Sequence, residues 1–167
     1  MGGLALADLN RVIRSQRNAL ETLIQRVPGF RGYFDSENRR EADRLIRDFG
    51  VSRLERLVSE LTEATKRAPL ERMDEYQEVT NQAEKLRNAL RHADQGYSGF
   101  FQEVKWDGEA ALQEIYCQDL DLVEDIEALC AGISDGDVEL EQLRRELIGL
   151  QRRLTDRRAA ILGLTGE

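Results

Sequence analysis

The chain has 167 residues and a formal net charge of −8, with 34% charged side chains, 6% aromatic ones and two prolines. That balance suits helices packed through aliphatic stripes; it argues against sheets of β-branched residues, and the periodic return of apolar residues argues against disorder. A single domain of this length buries about 70% of the surface its unfolded chain exposes. Its acidic total repels nucleic-acid phosphates, so no nucleic-acid partner is expected.

The charge is unevenly spread. Residues 1–102 carry 17 basic and 16 acidic side chains, residues 103–141 carry 13 acids against Lys105 alone, and residues 142–167 carry 6 basic and 3 acidic ones. One helix should therefore be intensely acidic beside neighbours that are neutral or mildly basic.

Helix 1 is predicted over 4–27. Leu9, Ile13, Gln16, Leu20, Leu23 and Val27 alternate four and three apart, a heptad seam with Gln16 as its polar member. Pro28 and Gly29 then stop it. The corner Gly29-Phe30-Arg31-Gly32-Tyr33-Phe34-Asp35 returns sixty-seven residues later as Gly96-Tyr97-Ser98-Gly99-Phe100-Phe101-Gln102. Both read as reversals, where glycine permits the backbone conformations required and aromatics plug the end of a helical bundle. Helix 2 follows, capped by Asp35 or Ser36, with Ala42, Leu45, Ile46 and Phe49 as one stripe and Leu54, Leu57, Leu61, Ala64 and Ala68 as the next. Gly50 lies in the five-residue step between them and reads as a kink or register slip within one long helix, or as a break between two.

Ala68-Pro69 marks the next break, and helix 3 carries Tyr76, Val79, Ala83, Leu86, Leu90, Ala93 and Tyr97. Helix 4, over 107–131, has the seam Leu112, Tyr116, Asp119, Val123, Ile126, Cys130 and Ile133, flanked by Ile115, Leu122 and Leu129. Asp119 is its polar member. Helix 5 repeats the beat with Leu140, Leu143, Leu147, Leu150, Leu154, Ile161 and Leu164. The fold expected is all-α, an elongated antiparallel bundle of four to five long helices with coiled-coil-like packing. The corner repeat points to helical hairpins 1–2 and 3–4, a pseudo-repeat over 1–68 and 69–135, plus a C-terminal helix over 137–165; convergence of two bundle corners is the alternative.

No residue set with the makings of a reaction emerges, and no cofactor is expected. His92 is the only histidine, and position 89 is Ala, so the paired Glu-x-x-His of a di-iron bundle is missing. The acidic run from Asp135 to Glu146 imitates a calcium loop, but its sixth position is Leu140 where glycine must turn. Cys117 and Cys130 lie thirteen residues apart on one helix, about 20 Å by helical rise, and are expected to be free thiols. Acids of helix 4 are expected to attract the arginines of helix 1 (Arg11, Arg14, Arg17) or helix 5 (Arg144, Arg145, Arg152, Arg153). A seam residue such as Gln16 or Asp119 sets register at a cost in stability, or lines a polar pocket. Arg31, Tyr33, Phe34, Arg39, Arg40 and Arg44 form the candidate partner surface, because arginine and aromatic residues dominate interface energetics. The alternative there is purely structural, with aromatics closing the core and arginines pairing with Glu37, Glu41 and Asp43.

The Gly-Tyr-Phe corner leading into an Arg/Glu-rich helix resembles small uncharacterised bacterial coiled-coil proteins. The likeness is one of composition, covers mainly residues 28–48 and implies no activity. The leading expectation is a non-catalytic interaction or scaffold protein with an unknown protein partner, placed in the cytoplasm because no signal peptide or long apolar run is present. The apolar end of helix 5 (Ala159, Ala160, Ile161, Leu162, Leu164) favours a homodimer. One alternative is a peripheral membrane or envelope-stress protein resembling the phage-shock helical family, against which helix 1 lacks a strong aromatic face. Another is a ligand-binding or enzymatic bundle with its pocket near Asp119 and Gln16.

Overall fold

A computed structural model describes residues 18–32, 36–92, 109–134 and 139–163, with side chains throughout except at 36–40, 109–115, 132, 134 and 157–163. Every regular element among the described residues is helical. These are α1 over 18–26, α2 (Ser36–Arg67), a single 3-10 turn (Leu70–Arg72), α3 (Met73–His92), α4 (Glu109–Ser134) and α5 (Leu140–Gly163).

Helix α2 runs unbroken through Gly50. No break falls there, and the five-residue step in the apolar stripe coincides with a change of neighbours. Before Gly50, Ala42 and Ile46 share a core with Ala19, Leu23, Val27 and Phe30 and with Tyr116 and Val123 of α4. After it, Val51, Leu54, Leu57 and Leu61 join a second core with α3, the later part of α4 and α5. Gly50 itself is where three helices converge: a Cβ there would stand 3.1 Å from Leu90 Cδ1 and 3.2 Å from Ile126 Cδ1.

α2 ends on Lys66 and Arg67, cations suited to the negative end of the helix dipole. Pro69, at φ −56° and ψ 145°, opens the 3-10 turn, and the Arg72 N–H donates to its carbonyl at 2.9 Å. α3 then begins with Asp74 and Glu75 in its first turn. It runs back along α2, since Leu90 returns to Gly50 and Arg91 pairs with Glu55. Val79, Ala83, Leu86 and Leu90 are buried on the expected seam. Thr80 is buried among them and donates its hydroxyl to the Tyr76 carbonyl at 2.8 Å, so its polar group is satisfied within the helix.

α4 runs in the same direction as α2. Ile126 stands against Gly50, and one turn later the Cys130 thiol donates to the Arg53 carbonyl at 3.4 Å. α5 packs against α4 and α3, while α2 packs against α3 and α4. The pairs that join across short connections are thus α2 with α3 and α4 with α5, whereas α3 and α4 share no extensive contact among the described residues. α1 shares its core with α2, as hairpin 1–2 would have it, while α3 and α4 lack the contact expected of hairpin 3–4 among the described residues. A heptad seam states which face a helix buries, but two seams of similar width leave the choice of neighbour open.

Candidate interaction site

The first corner is built from both of its glycines. Gly29 (φ 80°) and Gly32 (φ 104°) occupy left-handed conformations that any side chain would strain. Between them Phe30 turns inward, 1% exposed, and meets Tyr116 edge-on with ring centroids 6.4 Å apart. Such a T-shaped pair adds about 0.5–1.5 kcal/mol beyond its area burial. The Phe30 N–H donates to the Val27 carbonyl at 3.1 Å, closing the turn. Arg31 points out and is exposed. Of the other expected surface residues, Arg44 is exposed and pairs with Asp48 at 3.4 Å, a contact within its own helix. Tyr33, Phe34 and the side chains of Arg39 and Arg40 lie outside the described residues, as do Gln16 and the second corner at 96–102. Among the described residues of the corner, Phe30, which the sequence offered only as part of a motif, is the aromatic that plugs the core.

Next to this corner lies a polar layer. Asp43 and Arg47 are buried one turn apart on α2 and form an ion pair, Nε to Oδ2, at 2.8 Å. Asp119 is fully buried on α4, between the core residues Tyr116 and Val123 of the same face. All three have further partners. Burial of a paired charge of this kind contributes little net stability, yet removing one partner takes a buried opposite charge away from the other. Arg47 sits at the i+4 position from Asp43, where helix geometry brings it within reach.

The acidic face of α4 finds cations on both sides. Arg26 of α1 reaches Glu127 at 2.8 Å and Glu124 at 3.7 Å, and Arg153 of α5 pairs with Asp125. Arg11, Arg14 and Arg17 lie outside the described residues. Arg144 turns instead to Glu78 of α3 and to Glu141, and Arg145 to Glu141. Each exposed pair of this kind is worth about 0.2–1 kcal/mol, enough to bias which helices lie side by side.

Cys117 and Cys130 are free thiols. Burial, helped by the nearby Glu60 carboxylate, pushes the Cys130 thiol up, so it stays protonated and donates to Arg53. His92 is exposed at the end of α3. Leu140 is buried in the core, an impossible sixth position for a calcium loop, whose residues 135–138 lie outside the described ones. Among the described residues no group of three or more His, Cys, Asp or Glu could hold a metal, and no helix is long and apolar enough to cross a membrane. The side chains at the apolar end of α5, from Ala159 to Leu164, lie outside the described residues.

The seam between α4 and α5 leaves an open cleft of about 390 Å³, floored by Leu129, Leu150, Ala128 and Gly149 and rimmed by Asp125, Arg145, Glu146 and Arg153. A smaller one of about 220 Å³ continues past Arg153 to Gln118, Asp121 and Asp156. Sequence patterning concealed this groove, because Gly149 interrupts no seam and Ala128 falls outside one. Against protein-family models, curated proteins and solved structures, the chain finds no match.

Proposed function

We propose that the chain is a non-catalytic interaction or scaffold protein, an elongated bundle of helices that acts through its helix faces and its glycine corner. The observation that carries this reading is the way the corner is held. Two left-handed glycines, a buried Phe30 and its contact with Tyr116 hold residues 29–32, from which Arg31 is exposed to solvent. A loop ordered before binding loses little entropy on docking, and arginine is among the residues that most often anchor an interface. The two packed cores, one aliphatic and one that includes Phe30 and Tyr116, support the same reading, since they make a rigid platform for the surface they carry.

The test is site-specific photo-cross-linking from position 31 in the cells that make the protein, with Gln77 on the exposed face of α3 as the control position. A discrete adduct at 31 that disappears when Gly32→Val distorts the corner supports the proposal. Equal labelling from 31 and 77 refutes it.

A further inference from the structure

Gly50 and Gly149 both sit inside long helices, where glycine destabilises relative to alanine. Neither has the positive φ seen at Gly29 and Gly32. At Gly50 the chain supplies the reason, because a Cβ would press on Leu90 and Ile126. At Gly149 it supplies none: a Cβ would meet nothing within 4 Å. Gly149 instead lies in the floor of the α4–α5 groove, opposite the exposed Ala128. Small residues at such a place allow another helix backbone to approach closely.

The rim states what charge that helix carries. Four carboxylates (Asp121, Asp125, Glu146, Asp156) face two guanidinium groups (Arg145, Arg153) along the groove. Both arginines are already engaged, Arg153 with Asp125 and Arg145 with Glu141. Asp121, Glu146 and Asp156 form no ion pair among the described residues, so the groove is left with surplus negative charge. Gln118 adds a solvent-shielded Oε1 that accepts no hydrogen bond, an acceptor suited to an N–H donor. From Gln118 to Leu129 the groove follows three turns of α4, about 16 Å by helical rise. That length accommodates anchors at i, i+3 or i+4, and i+7 of a docked helix.

We infer that the α4–α5 groove binds an amphipathic helix of a partner protein, with small or aliphatic residues facing Gly149 and Ala128 and Lys or Arg residues facing the acidic rim. The same groove of a second copy is the wrong occupant on charge, since both would present the same surplus of carboxylates. The inference rests on reading the chain as an interaction protein, but it uses a surface separate from the Arg31 corner.

Two fluorescein-labelled helical peptides of about 16 residues, long enough to span the groove, test it against the full chain by anisotropy. Both carry an Ala/Leu stripe at i, i+4 and i+7; one has lysines flanking the stripe and the other glutamates. The lysine peptide should bind with micromolar affinity and the glutamate peptide at least about tenfold more weakly. Gly149→Leu, which fills the floor, and Asp156→Lys, an exposed charge reversal, should each weaken the lysine peptide about tenfold, with unchanged helical dichroism confirming the fold. Arg31→Glu should leave it unaffected. Equal binding of the two peptides, no binding up to roughly 100 µM, or insensitivity to Asp156→Lys overturns the inference. So does a chain dimer in sedimentation that Gly149→Leu dissociates. If position 31 still cross-links a partner in that event, the interaction reading survives and only the groove assignment fails.

Discussion

The two cores are built from different chemistry. The one shared by α2, α3, α4 and α5 is aliphatic, with Leu54, Leu57, Leu61, Leu86 and Leu90 fully buried and Thr80 satisfied inside its own helix. The one beside the glycine corner sets Phe30 and Tyr116 among Ala19, Ala42 and Val123, and buries Asp43, Arg47 and Asp119 alongside. Aliphatic packing is non-directional and tolerates sliding, whereas a buried ion pair and an edge-on aromatic contact are satisfied in one arrangement. The first core therefore contributes most of the stability. The second holds the corner in register at a cost that the first offsets.

The sharpest way to break that contrast is to remove one charge from the mixed core. Arg47→Met removes the guanidinium from a buried ion pair and should destabilise the protein by up to about 3–5 kcal/mol in urea unfolding, whereas Arg47→Met with Asp43→Leu should recover more than half of the loss. A single-variant loss below about 1 kcal/mol would mean that the pair is solvated and the two cores are alike. In the aliphatic core, Leu57→Ala should cost about 2–5 kcal/mol through lost burial and the cavity left behind, with no charge partner able to rescue it.

The two helix-interior glycines should answer with opposite signs. Gly50→Ala pushes a methyl against Leu90 and Ile126, both fully buried, and should lower stability by about 1 kcal/mol despite better helix propensity. Gly149→Ala meets only open space and should raise it by about 0.5–1 kcal/mol. Thermal unfolding of the two variants side by side checks this, and a gain at both positions would show that α2, α3 and α4 are less tightly packed at Gly50 than the structure has them.

The smallest effect concerns Cys130. Burial first, and Glu60 second, hold its thiol above the ordinary range. In a Cys117→Ser background, the pH of half-maximal alkylation should lie above that of a free cysteine peptide, and Glu60→Gln should lower it. Because the folded thiol ionises at higher pH than the unfolded one, stability is fully present below the unfolded pKa and declines as pH rises toward the folded value. Alkylation at the pH of an unburied thiol would place Cys130 outside the core.

The three-four spacing of apolar residues was enough to identify the helices and their inward faces, because burial along a helix follows its period: Val79, Ala83, Leu86 and Leu90 on α3, and Leu140, Leu143, Leu147 and Leu150 on α5, are buried where the pattern puts them. Gly29 and Gly32 were equally legible as a corner, since few residues other than glycine adopt such conformations readily. The burial of Asp119 followed from its place in a seam. Which helices lie side by side was a tertiary matter, decided when α2 and α4 came to run together with α3 and α5 packed along them. The change of neighbours across Gly50, the burial of the Arg47–Asp43 pair and the groove over Gly149 all depend on that choice. A one-dimensional pattern encodes the period and polarity of each helix, but the space between two helices exists only once both are in position.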